Sequence, residues 1–178
     1  MLIPVVSNYD QHDLAAQAVN LTGRWFVGHL LSAVAFTLSL FSVSIINQTL
    51  QTKSRSISAP TFLLLAVGAG FYAAGLGADG IGPIAVQAAG LSPTVFFDGS
   101  GWWVIGTFIT ATIFFGVGLI FLVVTLIQYE VLQGIFRYIA FVSALIFMAA
   151  PAIPSGYALY GVAVAALGIF VPIAVSIE

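Results

Sequence analysis

The sequence has no cysteine, two histidines and very little charge, with four Lys or Arg and six Asp or Glu in 178 residues. Without cysteine there is no disulfide scaffold, no thiolate-held zinc or iron–sulfur centre and no cysteine nucleophile. A net charge of −2 gives no basic surface for nucleic acid, so no nucleic-acid partner is expected. Charged residues make up 6% of the chain and hydrophobic residues 61%. Soluble domains are about 25% charged and about 45–50% apolar, so this chain cannot coat itself in water-facing side chains.

What fills the chain instead is apolar sequence in long runs. A spanning helix uses roughly 20 residues, so the length accommodates about four to six spans with their connections. The expected fold is an all-α integral membrane protein, a single domain of about five transmembrane helices with the lipid bilayer around it. Spans are expected at 25–46, 61–78, 102–127, 135–150 and 157–176, after an extramembrane or interfacial segment at 1–24. Met1 to Val6 lacks the basic residues that begin a secretory signal, so no cleaved signal is expected. Ser7 and Asp10 have capping-box spacing, and Leu14, Ala15, Val19 and Leu21 share one side of a short interfacial helix.

The second span is expected to be glycine-broken. Gly75, Gly77, Gly80, Gly82 and Pro83 fall within nine residues, a density that disfavours helix interior. Residues 79–101 then become an outer loop, with 80–92 lying on the membrane or dipping into it, and Asp98 to Gly101 a further turn. Lys53 and Arg55 occupy the polar connection 47–58, which places that loop inside, the N-terminus outside and the C-terminus inside. Arg137 then falls inside and Arg24 outside. Trp25, Trp102, Trp103, Tyr157 and Tyr160 come to the outer interface, and Tyr129 and Tyr138 to the inner one, as aromatic belts require.

Small side chains recur every three or four residues on three spans: Gly28, Ser32, Ala35 and Ser39; Ala66, Gly70, Ala74 and Ala78; and Gly161, Ala165 and Gly168. In lipid such rows let helix backbones approach closely, so they are the expected packing faces.

Ionisable groups are costly in a membrane and therefore mark candidate sites. His29, Asp79, Arg24 and Asp98 all belong to the predicted outer side and could gather in one polar pocket. Each also has a plainer reading. Arg24 suits an anchor to lipid phosphate, Asp79 and Asp98 precede glycine as in ordinary turns, and His29 suits an interhelical hydrogen bond. A bis-histidine haem would need a second membrane histidine, whereas His12 lies in the N-terminal segment. The sequence requires no cofactor, although haem or quinone at His29 is a reading it admits, and no metal or catalytic residue is assigned. No Gly-x-Ser-x-Gly or His-Glu-x-x-His pattern occurs.

The expected function is therefore a non-catalytic accessory or structural subunit, joined to other membrane subunits or to itself through the small-residue rows. A prokaryotic plasma membrane is the expected location. The alternatives are a ligand or redox site at the outer mouth around His29, and an oligomeric transporter or channel using Asp79.

Overall fold

A computed structural model describes residues 6–177, which are helical with no strand. The apolar residues 1–5 of the sequence reading lie outside the described residues. The elements are α1 (His12–Val19), α2 (Thr22–Gln51), α3 (Ala59–Ala88), α4 (Thr94–Gln128), α5 (Gly134–Ala149), a 3-10 turn (Ala150–Ala152) and α6 (Gly156–Ser176). Among the described residues, five helices are long and apolar enough to cross a membrane: α2, α3, α4 from Trp102, α5 with its 3-10 turn, and α6. Successive helices pack side by side, and α3 against α4 is the most extensive contact.

The helix ends follow from local chemistry. Ser58 accepts from the Thr61 amide and caps α3, with a proline in its first turn. Ser155 caps α6 in the same way through the Tyr157 amide. At the other ends, α2, α3 and α4 stop alike. Ser54, Gly90 and Glu130 take positive φ (57°, 81° and 56°). The amide of the residue after each one reaches back five residues, Arg55 to Leu50, Leu91 to Val86 and Val131 to Leu126. This is the Schellman termination, which glycine favours and two of these three positions fill with a side chain. The expected Ser7–Asp10 capping box does not form. Asn8 instead accepts from the Asp10 amide at 2.9 Å in a turn, and α1 starts at His12.

The glycine break and the long loop are not what the chain adopts. Helix α3 runs unbroken through Gly75, Gly77, Gly80, Gly82 and Pro83 to Ala88, and α4 starts at Thr94, so 89–93 is all that remains of the connection. Three of the glycines make room for neighbours rather than unwinding the helix. A methyl at Gly75 would meet the Phe108 ring, one at Gly82 the Phe96 ring and one at Gly80 the His29 side chain. Glycine and proline are tolerated in membrane helices when neighbours satisfy the freed backbone groups.

The main core lies between α3 and α4. Phe36 of α2 stacks on Tyr72 of α3 (3.9 Å between centroids) and meets Phe115 of α4 edge-on at 5.3 Å. Phe147 of α5 closes the group against Phe115 at 5.5 Å. The buried Tyr72 hydroxyl lies 2.8 Å from Thr112 Oγ1, which donates in turn to the Phe108 carbonyl. The small-residue rows are only partly used inside the chain. Gly28 and Ala165 are buried and Ser32, Ser39, Ala66, Gly161 and Gly168 half-buried, but Ala35, Gly70, Ala74 and Ala78 are exposed. The face of α3 that meets α4 is the adjoining one, through Gly68. A methyl on Gly68 would run into the backbone of Phe115, and one on Gly118 would sit 3.0 Å from the Leu65 amide nitrogen. The serines of α2 do not bridge helices either: Ser32 donates to the Gly28 carbonyl and Ser39 to that of Phe36.

A second, smaller core closes one end of the bundle. Val6, Ala15, Val19 and Trp25 are buried there, with Tyr9, Leu14, Ile84 and Phe97 packed around them. Trp25, expected at the interface, has no exposed surface. Two backbone hydrogen bonds fasten the segment before α1 to the connection ahead of α6: Tyr9 donates to the Pro154 carbonyl and Gly156 to that of Val6, each at 2.8 Å. At the opposite end Arg55 donates to the Tyr129 carbonyl and lies over its ring at 5.3 Å, while the Tyr129 hydroxyl donates to Ser56.

Candidate functional site

The site lies in the smaller core, and Pro83 initiates it. A helical residue at 83 would give its N–H to the carbonyl of Asp79; proline has none, so that carbonyl is left without its helical donor. Trp25 Nε1 donates to it from α2 at 2.8 Å. One turn along α2, His29 Nδ1 lies 2.7 Å from the Trp25 carbonyl, and Nε2 lies 3.1 Å from Asp79 Oδ2. Thus α2 and α3 are joined twice at one level, through the backbone and the side chain of Asp79. The imidazole packs against the indole with centroids 4.6 Å apart. Gly80 permits this approach, since a methyl there would sit 2.9 Å from His29 Cβ. Side-chain exposure is 9% for His29 and 16% for Asp79, so the pair is largely shielded from solvent.

Tyr9 adds a third titratable group. Burial pushes its phenol up to about 12, and the Asp79 carboxylate and Tyr160 add to that rise by disfavouring a second negative charge.

A second histidine–aspartate pair lies nearer the surface. His12 Nδ1 of α1 is 2.5 Å from Asp98 Oδ1 of α4, both partly exposed. The Phe97 ring is near both His12 and Trp25, its centroid 6.1 Å from that of His12 and 6.2 Å from that of Trp25. An open groove lined by Asp10, His12, Asp13, Thr94 and Asp98 borders the outer pair. Among the described residues no group of three or more His, Asp and Glu side chains is placed to hold a metal ion.

Of the four residues singled out in the sequence, the fold brings His29 and Asp79 into contact. It draws Asp98 to His12, and it leaves Arg24 exposed on the first turns of α2. The Trp25 bond, Tyr9 and the His12–Asp98 pair were missed. The Trp25 bond had a signal, because a proline four residues after Asp79 in a helix implies an orphan carbonyl that some donor must satisfy. The other two depend on how the N-terminal segment folds back over the bundle, which periodicity does not encode. Chemically, both ring nitrogens of His29 are engaged, so an iron or a quinone at this ring would have to displace Asp79 or the Trp25 carbonyl. Comparison with known families, curated proteins and solved structures gives no match.

Proposed function

We propose that the protein is a non-catalytic accessory or structural subunit of a membrane complex, lying in a prokaryotic plasma membrane with its N-terminus outside. The observation that carries this reading is the row Gly70, Ala74 and Ala78 on α3, which the chain's own helices leave exposed. Rows of this kind allow another helix to approach within backbone contact in lipid. The proposed orientation is supported by Lys53, Arg55 and Arg137, which share the end of the bundle opposite His29.

Because the chain has no cysteine, single-cysteine variants test this directly in native membranes. Gly70→Cys and Ala74→Cys should form one discrete cross-linked adduct, whose mass identifies a partner subunit or a second copy. Val164→Cys, on an exposed position of α6, serves as the lipid-facing control. No adduct from α3, or the same pattern from all three positions, would overturn the reading.

The largely shielded His29–Asp79 pair favours a second reading, in which the chain binds a ligand or carries protons at this end. Substitution separates the two. In the subunit reading His29→Ala alters stability or assembly alone, whereas in the second it abolishes binding or flux while the fold is retained.

A further inference from the structure

We propose that His29 and Asp79 together bind one exchangeable proton inside the bundle, making a proton-binding site that ties α2 to α3. The inference does not depend on the subunit reading.

It follows from counting donors and acceptors. His29 Nδ1 lies 2.7 Å from the Trp25 carbonyl, and a carbonyl only accepts, so Nδ1 carries a hydrogen. A neutral imidazole has just one N–H, and with it on Nδ1 the other nitrogen holds a bare lone pair. That nitrogen faces Asp79 Oδ2 at 3.1 Å, and an ionised carboxylate also only accepts. Two lone pairs do not hold a contact at that distance in a shielded site. One further proton must lie between them, either on Nε2, giving imidazolium and carboxylate, or on Asp79, giving a neutral acid that donates to a neutral ring. The opposite tautomer, with hydrogen on Nε2 alone, would set a lone pair against the Trp25 carbonyl at 2.7 Å.

The surroundings retain the proton in either form. Trp25 Nε1 occupies the Asp79 carbonyl rather than its carboxyl, so the indole does not compete for Oδ2. On the elements packed here, the titratable or charged groups at this end of the bundle are Tyr9 and Asp10 before α1, His12 and Asp13 on α1, Arg24 on α2, Asp79 on α3, Asp98 on α4, and Tyr157 and Tyr160 on α6. Tyr9 is a neutral phenol and the outer pair is already engaged with itself. Losing the proton leaves one ring hydrogen for two acceptors, so His29 then keeps either its contact to Asp79 or its contact to the Trp25 carbonyl, not both.

The test uses the full chain in lipid nanodiscs with 15N-labelled histidine. The two ring systems are assigned by His12→Gln, and the infrared carboxylic-acid band is recorded alongside. The proposal expects Nδ1 of His29 protonated, together with either a protonated Nε2 or an acid band that disappears in Asp79→Asn. In Asp79→Asn the ring should be neutral with its hydrogen on Nδ1. Hydrogen on Nε2 alone, or an Nδ1–H ring beside an ionised Asp79, would overturn it. Should Asp79→Asn fail to fold, the ring nitrogens of the His12→Gln chain with the infrared band against His29→Gln decide between the same outcomes.

Discussion

At the scale of single residues, the missing N–H of Pro83 accounts for much of the smaller core. Trp25 is required there as a donor, and an apolar ring of similar size would bury the Asp79 carbonyl unpaired. Trp25→Phe is expected to destabilise the fold by about 1–3 kcal/mol, the cost of an orphaned buried acceptor. Pro83→Ala restores the helical donor, so in that background the same substitution should cost less, and a double-mutant cycle of unfolding in detergent measures the difference. Tyr9 gives a pH dependence whose sign is fixed. Its phenol ionises near 10.0 when free and near 12 in the fold. Below that window both states hold the proton; within it the unfolded chain loses a proton the folded chain keeps, so stability falls as pH rises. Alkaline melting of Tyr9→Phe should show a shallower decline than that of the parent.

At the scale of elements, composition and the long apolar runs made the five helices long and apolar enough to cross a membrane legible. What they could not show is which glycines unwind a helix and which admit a neighbour, because that depends on side chains from other elements. Gly80 and Gly82 belong to the second kind, since His29 and Phe96 fill the space a methyl would need. The same blindness hid a second close-packing face on α3, the one through Gly68 that meets α4. Gly68→Ala should therefore be destabilising by about 1–3 kcal/mol, since the new methyl meets backbone that cannot turn aside. Gly70→Ala has nothing within 4 Å and should be neutral or stabilising, by up to about 1 kcal/mol of helix propensity. Helix ends offer a further check. Ser54→Gly and Glu130→Gly should each stabilise by up to about 1 kcal/mol, because a side chain in the left-handed region is strained there.

For the whole molecule, length sets the relation to the bilayer. Helix α4 has 35 residues. At 1.5 Å rise it extends about 52 Å, well beyond the roughly 30 Å of a hydrocarbon core. Its first turns are therefore expected to stand clear of the apolar layer, with Trp102 and Trp103, 87% and 80% exposed, at its boundary. In reconstituted Trp25→Phe protein, quenchers near the lipid headgroups should extinguish the remaining tryptophan fluorescence more strongly than quenchers at mid-chain depth. The reverse order would place this part of α4 inside the membrane. The fastening of Val6 and Tyr9 to Pro154 and Gly156 also sets the order of assembly. A chain made from its N-terminus onward inserts α2 through α5 before the partners of its first residues exist. The His29–Asp79 pair, drawn from α2 and α3 alone, is thus expected to form before that fastening, so a ribosome stalled before residue 154 would present this end of the bundle without it.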